Sequence, residues 1–158
     1  MIVVSDTTAI TNLFQIGRLS ILRGVFERVV IPQAVFEELC ELPAQKQYLL
    51  AADWIEILPI EDSVLLQTLK KRLDNGESEA IALSLKIGAD FLVMDEWKGR
   101  RIAQEMGLQI IGVVGILTAA KRKSVISEVK PILDELIYMV GFRIHPSIYA
   151  ATLKDVGE

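Results

Sequence analysis

Short apolar runs alternate with longer amphipathic stretches along the whole chain. Ile2-Val3-Val4 is β-branched and uninterrupted, which predicts a buried strand of a parallel sheet. Thr7 or Thr8 can cap the helix that follows, where Ile10, Leu13, Phe14 and Ile16 have helical spacing and Gly17 ends the run. Leu19, Ile21 and Leu22 suggest a short second helix. Val29-Val30-Ile31 reads as a second strand, and Pro32 opens a helix striped by Val35 and Leu39. Residues 43–52 predict another helix. Residues 54–58 predict an edge or connecting strand, because a charge interrupts the apolar positions, and Pro59 closes it. Residues 63–72 read as a helix with Val64, Leu65 and Leu69 on its buried face.

Asp74-Asn75-Gly76 has the composition of a turn. Glu77 then stands at the start of a helix, where the helix dipole favours an acid. That helix is apolar nearly all round from Ala80 to Ile87, which predicts burial, and Gly88 ends it. Residues 91–94 form the clearest interior strand. Residues 100–106 predict a helix closing at Gly107, and residues 109–111 a further strand. Residues 112–117 read as a glycine-containing apolar loop leading into a helix. Residues 125–140 read as one helix with Pro131 early in its register, and residues 147–153 as the last helix. The tail 154–158 is expected to fray. The expected architecture is α/β, a three-layer α/β/α sandwich with a mainly parallel central sheet, formed by one domain over residues 1–158.

Composition narrows the class. An apolar fraction of 51% in 158 residues allows one well-filled core. No run is long and apolar enough to span a membrane, and the opening residues lack a basic leader. Cys40 is the only cysteine, so no internal disulfide framework exists and a reducing compartment fits. A cytoplasmic protein is expected. The net charge of −4 argues against a generally basic nucleic-acid face, although bound cations can reverse a local acidic field. Basic residues cluster at Lys70, Lys71 and Arg72, at Lys98, Arg100 and Arg101, and at Lys121, Arg122 and Lys123. No glycine-rich dinucleotide or P-loop spacing is present, so no nucleotide cofactor is expected. His145 has no ligand-spaced neighbour and reads as structural or surface, and no Cys/His cluster offers a zinc site.

The acids carry the candidate chemistry. Asp6 and Asp95 each follow a predicted strand, and ligands of open α/β sheets bind beyond the carboxyl ends of strands. Glu77 heads a buried helix, with Glu79 competing for the same role two residues on. Glu38 sits on an early helix, where its neighbour Glu37 points about 100° away. Carboxylates gathered without Lys or Arg partners repel one another and resist ionisation. Mg2+ or Mn2+, hard ions that prefer oxygen ligands, would relieve that repulsion and can activate water against a phosphodiester.

Together these motifs resemble the PIN-domain ribonuclease superfamily, and within it prokaryotic stand-alone proteins related to VapC-type toxins. The likeness lies in Val-Val-Ser-Asp-Thr-Thr-Ala-Ile-Thr-Asn-Leu, Ile-Pro-Gln-Ala-Val-Phe-Glu-Glu-Leu, Asp-Asn-Gly-Glu-Ser-Glu-Ala-Ile-Ala-Leu, Val-Met-Asp-Glu with Gly-Arg-Arg-Ile-Ala, Gly-Val-Val-Gly-Ile-Leu-Thr-Ala-Ala-Lys and the closing Gly-Phe-Arg-Ile. The resemblance implies a metal-dependent endoribonuclease preferring single-stranded RNA, commonly a homodimer and often inhibited by a small antitoxin protein. It carries the family acids onto Asp6, Glu38, Glu77 and Asp95, with Glu79 as the rival to Glu77, and a family hydroxyl onto Thr7 or Thr8. Lys98, Arg100 and Arg101 are the candidate phosphate contacts. The chain departs from the pattern in having Glu77 where many relatives have Asp, and Val93-Met94 where relatives often have Thr or Ser. The same acids would serve a structure-specific DNA nuclease, and a non-catalytic interaction protein with this fold is the other reading.

Overall fold

The computed structural model describes residues 1–158. Five strands form one all-parallel sheet: β1 (Val3–Ser5), β2 (Val29–Pro32), β3 (Ile55–Leu58), β4 (Phe91–Val93) and β5 (Ile110–Ile111). Their spatial order is β3-β2-β1-β4-β5. The residues 54–58 segment thus becomes an edge strand, as its mixed polarity predicts. Ten helices cross between and follow the strands: α1 (Thr7–Gln15), α2 (Ser20–Phe26), α3 (Gln33–Leu39), α4 (Pro43–Ala51), α5 (Val64–Lys70), α6 (Asn75–Ile87), α7 (Trp97–Glu105), α8 (Val113–Arg122), α9 (Lys130–Val140) and α10 (Pro146–Asp155).

Strand alternation divides the core in two. Val3, Val29, Ile31 and Val93 face a large apolar layer with Leu13 of α1, Leu22 of α2, Val35 of α3, Leu117 of α8 and Leu133 of α9. Val4, Val30, Leu92 and Met94 face a smaller layer with Leu69 of α5, Ile81 of α6 and Ile102 of α7. This is the expected three-layer α/β/α sandwich.

Four local expectations are corrected. Val64 is 86% exposed, and the buried face of α5 is Leu66 and Leu69, continued by Leu73. These three residues have the i, i+3, i+7 spacing of one helical stripe, so the helix is rotated from the face that Val64 and Leu65 suggest. Residues 112–117 are not a loop, because α8 begins at Val113 with Gly112 as its N-cap. Residues 125–140 are not one helix. Ser124 takes a positive φ of 59°, and α9 starts only at Lys130, with Pro131 in its first turn. The tail does not fray: α10 runs to Asp155, and the Glu158 carboxylate accepts the Val129 N–H at 2.7 Å, the Lys130 N–H at 3.0 Å and the Lys121 Nζ at 2.9 Å. No helix is long and apolar enough to cross a membrane.

Candidate active site

The chain reverses its direction of growth across the sheet between β1 and β4. From β1 it proceeds to β2 and β3 on one side, then returns to place β4 and β5 on the other. A crevice opens at such a switch point, beyond the carboxyl ends of the two strands. Asp6 directly follows β1, and Asp95 follows β4 by two residues. The strands are locked in register by Ser5 opposite Val93, and the Asp6 N–H donates to the Val93 carbonyl at 3.1 Å.

Asp6 is 2% exposed, and its Oδ1 has no hydrogen-bond partner. It occupies the N-cap of α1, yet its side chain makes no cap hydrogen bond. Burial pushes its carboxyl well above the usual range, and repulsion from Asp95 adds to that. The nearby Ala9 N–H, which does not close a cap hydrogen bond, opposes the rise, while Glu77 and Asp74 reinforce it. A buried carboxylate oxygen without a donor is costly to fold around, so its retention points to a role outside stability.

Asp95 is held more firmly. Both its oxygens receive the Val113 N–H, at 3.1 and 3.2 Å, at the start of α8. Arg100 is near it without forming an ion pair and donates Nη1 to the Met94 carbonyl at 3.0 Å. Burial raises the Asp95 pKa, while Val113 and Arg100 pull it down. Gly112 is required here, since a Cβ at that position would lie 2.5 Å from Asp95 Oδ1 and 2.7 Å from Arg100 Nη1.

The first turn of α6 brings the third element. Asp74 is not in a free turn: it is the N-cap of α6, and its carboxylate accepts the Glu77 N–H at 2.8 Å. Glu77 is half-buried. Burial raises its pKa first and repulsion from Asp74 second. The Asp74 backbone N–H lowers it, and Glu96 and Glu38 raise it further. Glu38 reaches over from α3, accepting the Gly76 N–H at 3.1 Å and the Thr7 hydroxyl.

The structure thus places Asp6, Asp95, Glu77 and Glu38 about the carboxyl end of the sheet. It takes Glu79 elsewhere, since that carboxylate accepts the Ala34 N–H at 3.1 Å and ties α6 to the start of α3. Thr7 is engaged with Glu38, whereas Thr8 is exposed. Arg100 is occupied with the end of β4. Lys98 is exposed, and Arg101 is split between Glu105 at 3.2 Å and the Trp97 ring, 5.6 Å from its centroid. His145 is exposed and accepts the Ser147 N–H at 3.1 Å at the start of α10. Sequence reasoning missed Asp74 and Glu96 as members of the acidic field. The Asp74-x-x-Glu77 spacing of a helix-capping box was the signal for the first.

The donor set is all carboxylate, with no nitrogen or sulfur, which suits a hard divalent ion. A cation there would satisfy the orphaned Asp6 Oδ1 and offset the repulsion that Asp6 feels from Asp95 and Glu77. No three of the acids stand close enough to hold an ion by themselves. Mg2+ commonly takes only one or two carboxylates and keeps several waters, so the residues present fit that ion.

This is an all-parallel α/β protein with an acidic site at the switch point of its sheet. The PIN-domain family matches residues 2–158, and the chain belongs to that family. PIN domains are generally nucleases that use divalent metals, so the chain carries a nuclease fold. No curated protein matches the chain.

Proposed function

We propose that residues 1–158 act as one nuclease domain, a Mg2+- or Mn2+-dependent endoribonuclease cleaving single-stranded RNA. The observation that carries this reading is the buried, unpartnered Asp6 Oδ1, facing the charge of Asp95 across β1 and β4. Asp6 and Asp95 would hold the ion, which supplies charge neutralisation and an activated water. Glu77, whose carboxyl is pushed above its usual range by burial first and by Asp74 second, is suited to accept or return a proton near the scissile phosphate. Glu38 acts as a positioning residue, because its two hydrogen bonds fix α6 against α1. Lys98 and Arg101 lie on the face of α7 just past Asp95 and are the remaining candidates for phosphate contact. Resemblance to VapC-type toxins supports a toxin role, a homodimer and a small antitoxin partner in the cytoplasm. The exposed Tyr138 and Met139 of α9 offer an apolar surface for such a protein contact.

The test is cleavage of a mixed single-stranded RNA by wild type and Asp95→Asn, with Mg2+, Mn2+ or EDTA. Cleavage that needs metal and vanishes in the variant supports the reading. Equal cleavage by both proteins sinks it. A DNA strand of the same sequence separates a ribonuclease from a DNA nuclease.

One observation favours a second reading, a PIN fold kept for binding alone: no three acids converge on one point. Calorimetry with Mn2+ separates the two, since a protein with no affinity at millimolar ion is not a metal-dependent nuclease.

A further inference from the structure

A groove of about 590 Å3 runs from the acidic site into the carboxyl-terminal part of the chain. Asp95 lines one end of it. Trp97 and Arg100 line the α7 side, Gly112 the start of α8, and Phe142 and Arg143 the segment joining α9 to α10. Its volume falls within the range of small-ligand sites. Trp97 is 69% exposed although Arg101 covers one face of its ring. An indole this exposed is unusual unless it serves a contact. Arg143 is exposed and makes no ion pair or side-chain hydrogen bond, unlike Arg18, Arg23, Arg28, Arg101 and Arg122, which all pair with acids. The groove therefore presents an aromatic plane and an unpaired guanidinium directly beside the carboxylate of the candidate active site.

We propose that this groove is a nucleotide subsite: a base of the single strand next to the cleaved bond stacks on Trp97, and Arg143 contacts a flanking phosphate. The inference rests on the nuclease reading and adds residues to it. Two observations select nucleic acid as the occupant. The groove is continuous with the acidic site through Asp95, so a strand leaving that site enters it. Its chemistry is also complementary to a nucleotide, with π surface for a base and unpaired positive charge for a phosphate. Stacking of this kind is open to an unpaired base and closed to one inside a duplex, so the groove selects single strands. Stacking tolerates any base, so the groove imposes little sequence preference. The acidic net charge is then no obstacle, because the positive charge needed is local.

The chain has two tryptophans, and Trp54 is 5% exposed, so quenching of tryptophan fluorescence by an added strand reports on Trp97. The experiment titrates the full chain with a single-stranded RNA, a DNA strand of the same sequence and an RNA duplex. It is run in EDTA, and again with Asp6→Asn in Mg2+ to remove cleavage. Both single strands are expected to quench, and the duplex is not. With labelled strands followed by anisotropy, Trp97→Ala weakens binding about 5- to 150-fold while Trp97→Phe keeps most of it. Arg143→Gln lowers the salt slope of binding by about 0.7. Both side chains are exposed, so circular dichroism should be unchanged in the variants. Failures of the two readings look different. Wild-type binding and cleavage by both Trp97→Ala and Arg143→Gln overturn the subsite and leave the nuclease standing. Quenching that depends on Trp97 and Arg143, without cleavage in any metal, keeps the subsite and removes the nuclease. Absence of single-strand binding overturns the subsite.

Discussion

Glu38 and Gly76, on two different helices, meet so closely that a Cβ on residue 76 would displace the Glu38 carboxylate. The Gly76 N–H donates to Glu38 Oε1 at 3.1 Å, and a Cβ on residue 76 would stand 2.6 Å from the carboxylate. Gly76 lies within the first turn of α6, where glycine is a poor helix former. The position gives up helix propensity so that an acid from α3 can reach the free amide at the start of α6.

That relationship predicts a sign reversal. Gly76→Ala should destabilise by about 1–3 kcal/mol, because pushing the Glu38 carboxylate aside breaks its bonds to the Gly76 N–H and the Thr7 hydroxyl, which outweighs the ~1 kcal/mol of helix propensity gained. In a Glu38→Ala background the obstacle is gone, and Gly76→Ala should stabilise by about 1 kcal/mol. Urea unfolding of the four proteins checks this. Destabilisation by Gly76→Ala in both backgrounds would refute the coupling.

Asp6 predicts a stability gain from the loss of a functional group. Its folded pKa is raised, so between the unfolded and folded values the native state binds more protons, and stability falls as pH rises through that window. At neutral pH the carboxylate is a cost. Asp6→Asn should therefore raise the metal-free melting temperature by roughly 2–4 °C for each ~1 kcal/mol relieved, and the gain should vanish in acid. Added Mn2+ should raise the melting temperature of wild type by mass action and leave the variant unmoved. A metal-free variant less stable than wild type at neutral pH would contradict the account.

Much of this was legible in the chain because periodicity is local. The order of strands and helices follows from runs such as Phe91-Leu92-Val93 and the stripe of α1. Strand-end position alone marked Asp6 and Asp95. What stayed hidden depends on distant partners. Glu77 and Glu79 share one helical turn, and only the Ala34 amide on α3 shows which of them is taken. Residues 125–129 have helical composition, but Ser124 turns the chain into the left-handed region and the run packs without a helix. The tail is polar and short, and nothing within it signals that Glu158 closes onto α9. Gly76 and Gly112 read as turn or packing glycines, whereas each clears a path for a carboxylate.

The division between Glu77 and Glu79 is testable with one substitution each. Glu79→Ala removes the acceptor of the Ala34 N–H and should cost about 1–3 kcal/mol, with RNA cleavage per folded molecule unchanged. Glu77→Gln should leave stability equal or slightly higher, since it removes charge from the acidic field, and should lower kcat on the order of 100-fold. Unfolding curves and turnover measured on the same samples separate the two. A loss of kcat confined to Glu79→Ala would reverse the assignment.

The Glu158 clasp predicts acid sensitivity at the start of α9, outside the acidic site. Partial burial pushes its carboxyl up, but the Val129 and Lys130 amides and the Lys121 ammonium outweigh that and hold the pKa at about 2. A depressed folded pKa means stability that is present above the unfolded value near 4.5 and lost as pH falls toward about 2. The two amides are donors at the start of α9 that have no partner within the helix, so removing the charge leaves them poorly satisfied. Glu158→Gln should therefore lower the melting temperature at neutral pH, and the gap to wild type should close through that acid window. Hydrogen exchange should show the loss at the Val129 and Lys130 amides and across α10, with the amides of β1 and β4 unaffected. A gap that stays constant with pH would mean that Glu158 acts through packing and not through its charge.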